Sequence, residues 1–301
     1  MFILRFKKIF FALAIILVIG SLAGIIVKGF NWGIDFTGGS VIEIQYTAAV
    51  PSSAQVSATV KTLLPDASVQ QVGEKGFLIR TAVLTQIEKD ELLKNITSTG
   101  EFTEKRFNTI GPSVGKELRT KSIISIILIS IAITLFVAFA FRSISRPIAS
   151  WKYGVIVITV LLHDIIIPAG FFAWSGIQVD TLFVVGILTI LGVSVNDTIV
   201  VFDRIRENLT RFHGGKNALP FTEIIGKSIS ETFTRSIMTS VTVLLALLAL
   251  VIFGPESTRN LSITMFLGMF FGTYSSIFVA APLLVVWNNW QENRALTQGK
   301  K

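Results

Sequence analysis

Twenty-one consecutive residues, numbers 182–202, read LFVVGILTILGVSVNDTIVVF, and Asp197 is the one charged side chain among them. A helix of roughly 20 apolar residues crosses the hydrocarbon core of a bilayer, so this stretch predicts a transmembrane helix. A charged side chain inside hydrocarbon costs roughly 2.5–3.5 kcal/mol to insert. Asp197 is therefore a candidate functional residue, because so costly a placement needs a compensating role.

The rest of the chain has the composition of a membrane protein. Of its 301 residues, 51% are hydrophobic and 15% are charged, whereas a soluble domain carries about 25% charged residues. Five more apolar stretches are long enough to span a bilayer, and we predict a polytopic α-helical protein with six transmembrane helices. These five lie at residues 9–27, 123–141, 155–174, 237–253 and 261–287.

The first of these stretches has a second interpretation, as a signal peptide. Arg5, Lys7 and Lys8 would form its basic region, and Ser21-Leu22-Ala23 would form its cleavage site. The apolar residues continue beyond that site to Val27. This continuation favours an uncleaved transmembrane helix.

Basic residues are distributed unevenly between the predicted loops. Fifteen Lys and Arg lie at the chain ends and in the loops after the second and fourth spans, whereas the short loops on the opposite side hold only Arg259. Basic loops stay in the cytoplasm, so both termini are predicted to be cytoplasmic. The fifteen residues are Arg5, Lys7, Lys8, Arg142, Arg146, Lys152, Arg204, Arg206, Arg211, Lys216, Lys227, Arg235, Arg294, Lys300 and Lys301.

The segment between the first two spans then faces outward, and it is long enough to fold by itself. Its residue pattern predicts strands at 40–46, 68–72, 77–81 and 101–110, with helices at 53–64 and 85–99. This βαββαβ order favours an α+β ferredoxin-like domain. The predicted organisation is a cytoplasmic N-terminus and first helix at 1–28, the extracytoplasmic domain at 29–121, and helices two to six with cytoplasmic loops at 122–301.

Several function classes are excluded by residue types. The chain has no cysteine and two histidines, which removes disulfides, thiolate metal sites and multi-histidine metal sites. The net charge of +8 lies in the loops described above and favours a membrane surface over nucleic acid. With no nucleotide-binding motif and no nucleophile–base pair, we expect no cofactor, no metal and no enzymatic activity.

Other ionisable residues lie in or beside the predicted spans. His163 and Asp164 are adjacent near the middle of the third span, with Pro168 one turn later. They could relay protons, or they could form a static buried pair. Arg235 begins the fifth span, and it could hold Asp197 ionised or simply anchor the helix at the interface.

Polar and small residues surround Asp197 in sequence. Asn196 and Thr198 add hydrogen-bonding capacity beside it, and Gly186 and Gly192 are expected to permit close helix approach. The alternative for Asp197 is a carboxylate that holds two helices together and never changes protonation. The stretch 203–234 has apolar residues at helical spacing, which predicts helices lying along the membrane interface.

Four segments resemble the SecF proteins of the SecD/SecF family, within the RND superfamily. They are KGFNWGIDFTGG at 28–39, IGPSVG at 110–115, VNDTIVVFDRIREN at 195–208 and TRSIMTS at 234–240. The Asn196-Asp197-Thr198 triplet resembles SecF rather than SecD, in which an Asp-Ala-Asn pattern is expected. Val193 departs from the family, where a tyrosine is expected, and this affects helix packing rather than chemistry.

The resemblance implies a role in protein export. A member of this family pairs with SecD and associates with the SecYEG channel, with YajC and YidC as further possible partners. It uses the proton motive force to assist unfolded secretory proteins on the outer side of the bacterial inner membrane. The intramembrane aspartate of the family corresponds to Asp197 and its fifth-helix arginine to Arg235, while His163 and Asp164 match its third-helix pair.

The glycine-rich stretch after the first span also has two interpretations. A phosphate-binding loop would need a following Lys-Ser or Lys-Thr pair, which this stretch lacks. Gly33, Asp35, Gly38 and Gly39 are instead expected to shape the junction between the external domain and the membrane helices, since glycine permits tight turns. Two other functions remain open, namely a proton-coupled small-molecule exporter and a non-catalytic scaffold of the translocon.

Overall fold

The computed structural model describes residues 2–142, 149–212 and 218–298. The chain separates into two compact units, Trp32–Ile123 and the combination of Met1–Asn31 with Ile124–Lys301. The predicted external domain, 29–121, has bounds close to those of the first unit. Four of the basic residues used to predict orientation, Arg146, Lys216, Lys300 and Lys301, lie outside the described residues.

The first unit contains a four-stranded antiparallel sheet and two main helices. Strand Ser68–Val72 pairs with Gly76–Thr81, which pairs with Gly39–Tyr46, which pairs in turn with Phe102–Ile110. With the strands numbered along the chain, the order across the sheet is therefore 2-3-1-4, which confirms the ferredoxin-like prediction. The elements are β1 Gly39–Tyr46, α1 Ser53–Leu63, β2 Ser68–Val72, β3 Gly76–Thr81, α2 Gln86–Ile96 and β4 Phe102–Ile110, with short helices at Ile34–Thr37 and Thr97–Thr99.

The core of this unit follows from alternation in the strands and helical spacing in α1 and α2. Alternate residues of β1 and β3 are fully buried, as are residues one turn apart on the helices. Both helices begin with a capping box, formed by Ser52 with Gln55 and by Thr85 with Glu88, which satisfies backbone N–H groups of the first turn. The fully buried set is Ile42, Ile44, Phe77, Ile79, Val56, Val60, Leu92 and Ile96.

Among the described residues, six helices are long and apolar enough to cross a membrane, which confirms the predicted count. The helices that carry them are Lys7–Lys28, Pro112–Ala140, Ser150–Ser175, Thr181–Phe212, Phe221–Phe253 and the interrupted helix from Arg259 to Gln298. We call them the first to sixth membrane helices. Short additional elements lie at Phe2–Arg5, Asn31–Trp32, Gln178–Val179 and Glu256–Thr258.

Small residues allow the membrane helices to approach closely. A Cβ built on Gly170 of the third helix would lie 2.2 Å from the Cβ of Ser21 on the first. A Cβ on Gly186 would lie 2.9 Å from Thr264 of the sixth helix, as the sequence predicts. The same expectation for Gly192 is wrong for contacts within this chain, because among the described residues no atom of another helix lies within 4 Å of a Cβ built there and the residue is exposed.

The fourth and fifth helices extend well beyond the predicted apolar spans. They run to Phe212 and from Phe221, so residues 203–212 and 221–234 continue the membrane helices. The prediction of separate interfacial helices is wrong, because these apolar faces pack into the same core instead of facing lipid headgroups. The exposed fractions of Ile205, Leu209, Ile224, Ile225 and Ile229 are at most 4%.

The sixth helix is interrupted by one π-helical turn at Ser276–Ala280, between α-helices Arg259–Ser275 and Ala281–Gln298. A π-turn shifts the hydrogen-bond register by one residue and is frequent at functional sites. Ile277, Ala280 and Ala281 are buried at this turn. The interruption therefore lies inside the helix bundle rather than at its surface.

Candidate functional site

Asp197 lies half-buried on the fourth helix and is linked by hydroxyl groups to two other helices. Its Oδ2 accepts a hydrogen bond from the Ser240 hydroxyl of the fifth helix at 3.3 Å. The Ser240 Oγ in turn accepts one from the Thr273 hydroxyl of the sixth helix at 2.8 Å. The carboxylate therefore begins a chain of two hydroxyls that crosses from the fourth helix to the sixth.

Asp164 has a different environment, with no solvent exposure and three hydrogen-bond partners. Its Oδ1 lies 2.8 Å from Nδ1 of His163. Its Oδ2 accepts hydrogen bonds from the hydroxyls of Ser194 on the fourth helix and Ser275 on the sixth, the latter at 3.0 Å. This carboxylate joins three helices, and both of its oxygens are satisfied.

His163 completes this second cluster. The side chain is 6% exposed, and its ring stacks on Tyr274 with 6.2 Å between ring centroids. Its second nitrogen, Nε2, is buried and has no hydrogen-bond partner among the described residues. The histidine therefore reaches a polar group on one side only, through Asp164.

The two residues that flank Asp197 in sequence point in different directions. The Thr198 hydroxyl is buried and lies 2.7 Å from the Ser276 hydroxyl, at the first residue of the π-turn. Asn196 is exposed on the opposite side of the helix. Thr198 thus belongs to the polar interior of the bundle, whereas Asn196 lies on its outer surface.

Arg235 lies on the fifth helix, five residues before Ser240, which is about 7.5 Å along the helix axis. Its side chain is exposed. Among the described residues, no ion pair or hydrogen bond joins its guanidinium to Asp197. The predicted pairing between these two residues therefore remains a prediction, and Ser240 is the partner that the structure shows.

The glycine-rich stretch 33–39 has a close-packed backbone. Gly38 adopts a φ of +77°, and a Cβ there would lie 2.7 Å from the Cα of Pro112. Gly39 adopts a φ of +135°, and a Cβ there would lie 2.6 Å from the Thr81 carbonyl. Gly33 is the N-cap of the short helix Ile34–Thr37, and Asp35 lies in its first turn. These contacts explain why the stretch requires glycine, without any phosphate group.

Sequence reasoning missed the hydroxyl residues that hold the two carboxylates, namely Ser194, Ser240, Thr273 and Ser275. Single serines and threonines are common in membrane helices, and they give no signal by themselves. The concentration of Thr273, Ser275 and Ser276 within four residues was the available signal. Within the described ranges, no group of three or more acidic or histidine side chains could hold a metal ion.

Comparison with protein families identifies the chain. Residues 88–290 match the model of the protein export membrane protein SecD/SecF, C-terminal, and residues 23–50 match the SecD/SecF GG motif. The chain belongs to the SecD/SecF family. The first match contains both carboxylates and their hydroxyl partners, and the second contains the junction with Gly38 and Gly39.

Relatives within the SecD/SecF family match almost the whole chain. Protein translocase subunit SecF of Thermobaculum terrenum is 36% identical, over 95% of this chain and 94% of its own length. The SecF subunit of Rickettsia prowazekii is also 36% identical, over 99% of this chain and 94% of its own. The chain is thus a multi-pass bacterial membrane protein of the SecF type.

Solved structures of SecDF share the fold. The crystal structure of SecDF, a translocon-associated membrane protein, from Thermus thermophilus superposes with a TM-score of 0.83 at 33% identity. A second SecDF structure, in a super-membrane-facing form, superposes with a TM-score of 0.70 at 32% identity and covers 98% of this chain. The match covers 95% of this chain but only 38% of the Thermus chain, so this chain corresponds to one part of that longer protein.

Proposed function

We propose that this chain is the SecF-type subunit of a protein-export complex that uses the proton motive force to assist translocation. The family assignment supports a role in export, and the SecDF structures support a SecD-type partner, because this chain matches only one part of the fused protein. The translocon-associated SecDF also supports a place beside the SecYEG channel, where YajC and YidC are candidate neighbours.

The observation that carries this proposal is the environment of Asp197. It is half-buried on a membrane-spanning helix, and its hydrogen-bond partner is the neutral hydroxyl of Ser240. A carboxylate in this setting can take up and release a proton, because no cationic side chain in the described part of the chain forms an ion pair with it. Each proton that crosses the membrane supplies about 2.3 kcal/mol per 100 mV, so the work comes from the gradient rather than from covalent catalysis.

The external unit, Trp32–Ile123, is the proposed site of action on secreted polypeptides. It has its own hydrophobic core and is large enough to move as one body. The excess of basic residues on the opposite side supports an orientation with both termini in the cytoplasm and this unit outside the inner membrane. The domain would therefore meet a chain that emerges from the channel.

The test is pulse-chase maturation of a secreted precursor in cells depleted of their own SecF. The cells carry this chain as wild type, as Asp197→Asn or as Glu223→Gln. The control removes a carboxylate at an exposed position of the neighbouring fifth helix. We expect wild type and the control to restore maturation, and Asp197→Asn to fail at equal membrane abundance and equal co-purification with SecD.

Full restoration by Asp197→Asn would mean that the carboxylate does no work in export. The chain would then act as a scaffold of the translocon. The same side chains would still join the fourth, fifth and sixth helices, but as static contacts.

A further inference from the structure

The hydroxyls of Ser240 and Thr273 each have two possible acceptors. Ser240 Oγ lies 3.3 Å from the Asp197 carboxylate and 2.8 Å from the Ser236 carbonyl of its own helix. Thr273 Oγ1 lies 2.8 Å from Ser240 Oγ and 2.8 Å from the Met269 carbonyl of its own helix. A hydroxyl carries one proton, so each group directs its hydrogen bond either across to the next helix or back to its own backbone.

We propose that Ser240 and Thr273 form a hydrogen-bond switch whose direction follows the protonation of Asp197. They are positioning residues, and the inference rests on the proposed function, in which Asp197 takes up a proton. When Asp197 is ionised, Thr273 donates to Ser240 and Ser240 donates to the carboxylate. Hydrogen bonds to a charged acceptor are about twice as strong as neutral ones, and each bond in such a chain polarises the next.

Protonation of Asp197 reverses the first bond of this chain. The added proton stays on the carboxyl group, which becomes a donor to Ser240 Oγ, and the Ser240 proton turns to the Ser236 carbonyl. The negative charge that polarised this series of hydrogen bonds is then gone. Thr273 keeps a weaker bond to Ser240 or turns to Met269, which lies at the same distance. Proton uptake on the fourth helix thus loosens the link between the fifth and sixth helices.

Polar contacts and an irregular backbone segment lie on the sixth helix directly after Thr273, where the hydrogen bond to the fifth helix changes. Ser275 and Ser276, two and three residues later, hold Asp164 of the third helix and Thr198 of the fourth. The π-turn begins at Ser276, so a segment of irregular backbone follows the switch directly. The bonds of Ser275 and Ser276 to the third and fourth helices do not involve Asp197, so they remain when the bond to the fifth helix loosens.

The test is infrared difference spectroscopy of the purified complex with its SecD-type partner. The spectrum of the complex with Asp197 ionised is subtracted from the spectrum with Asp197 protonated. The C=O band of protonated Asp197 is assigned by its loss in Asp197→Asn. We expect Ser240→Ala to shift this band, and Thr273→Val to shift it less, because Thr273 reaches Asp197 only through Ser240. Valine is chosen because it keeps the shape of threonine without its hydroxyl. Thr273→Ser, which restores the hydroxyl, is expected to return the band to its wild-type frequency.

Thr264→Val is the matched control on the same helix. Thr264 is fully buried, and its hydroxyl also bonds to a carbonyl of its own helix, at 2.7 Å, but the structure gives it no hydrogen bond to another helix among the described residues. We expect it to leave the band in place. We also expect Thr273→Val to slow export about fivefold, the effect of losing one neutral hydrogen bond, and Thr264→Val to leave export unchanged.

The outcomes separate the two proposals. An Asp197 band that is present but identical in wild type, Ser240→Ala and Thr273→Val overturns the switch and leaves the proposed function standing. A wild-type complex without any Asp197 band overturns the proposed function, because the carboxylate then takes up no proton.

Discussion

At the level of single residues, the carboxylates of Asp164 and Asp197 differ in burial and in the number of their hydrogen-bond partners. Asp164 has no exposure and three partners, whereas Asp197 is half-buried and has the Ser240 hydroxyl as its partner. Buried polar groups in proteins are generally hydrogen-bonded, and a carboxylate with partners on three helices serves as a structural link between them. This contrast favours a static role for Asp164, which sequence alone left open, and a changing role for Asp197.

Asp164→Asn is expected to reduce the stability of the protein. An asparagine keeps one acceptor oxygen but presents an NH₂ group in place of the other, so the group that faces it must turn to accept or lose its bond, and a buried donor left unpaired costs about 1–3 kcal/mol. Thermal aggregation of the detergent-purified complex measures this, and we expect a lower midpoint than for Asp197→Asn. An Asp164→Asn protein that is as stable as wild type but inactive in export would instead assign Asp164 to the proton path.

Gly38→Ala is expected to disrupt the external unit. The residue has a φ of +77°, and its new Cβ would meet the Pro112 backbone at 2.7 Å. With its ψ of 163°, this backbone conformation is essentially confined to glycine and costs another residue about 1–3 kcal/mol before the steric clash is counted. Gly111→Ala is the control, because no atom lies within 4 Å of its built Cβ. We expect protease sensitivity of the external unit in membranes to rise only for Gly38→Ala, and equal sensitivity of the two variants would contradict this.

At the scale of elements, the long fourth and fifth helices form a hairpin that is held by polar contacts beyond the apolar spans. Asn208 is 1% exposed, and its amide donates to Ser228 Oγ at 2.9 Å and to Glu231 Oε2 at 2.7 Å. Arg204 also donates to Glu231 at 2.7 Å. These bonds align the two helices that carry Asp197 and Ser240.

Asn208→Ala is expected to loosen this hairpin. It removes a hydrogen bond to a charged group, worth about 1.5–3 kcal/mol, and leaves Ser228 and Glu231 without that donor. Thr210→Ala, at an exposed position of the same helix, is the control. The thermal aggregation midpoint should fall by several degrees for Asn208→Ala alone. If both variants aggregate at the wild-type temperature, the Asn208 contacts do not stabilise the hairpin.

The sequence predicted the elements well where one signal dominates. Apolar length identified the six spans, and alternation and helical spacing identified β1–β4, α1 and α2. The extension of the fourth and fifth helices was missed because an amphipathic face looks the same whether it meets lipid headgroups or another helix. The π-turn was missed because a one-residue shift in backbone register has no composition of its own.

The candidate site could be predicted only in part for a related reason. Asp197, Asp164 and His163 stand out because ionisable groups are costly in a membrane. Their hydroxyl partners are serines and threonines, which cost little free energy to place in a membrane helix and so do not stand out. Only the three-dimensional packing shows which of them face a carboxylate. Arg235 matches the family pattern, but its side chain is exposed in this structure. The direction in which that side chain extends could not be predicted from the sequence.

At the scale of the whole molecule, the orientation in the membrane can be tested cleanly because the chain has no cysteine. Ala58→Cys lies on α1 of the external unit, and Thr210→Cys lies near the end of the fourth helix, both at exposed positions. A membrane-impermeant maleimide should label Ala58→Cys in intact spheroplasts and Thr210→Cys only after lysis. The reverse pattern would invert the proposed topology.

We propose that a proton taken up at Asp197 does work in export. The most direct measurement is translocation of a preprotein already engaged in the channel, in vesicles under an imposed proton gradient after ATP is removed. The vesicles contain the complex with wild type, Asp197→Asn or Glu223→Gln. We predict that the gradient drives completion with wild type and Glu223→Gln but not with Asp197→Asn. Equal completion with all three proteins would contradict the account.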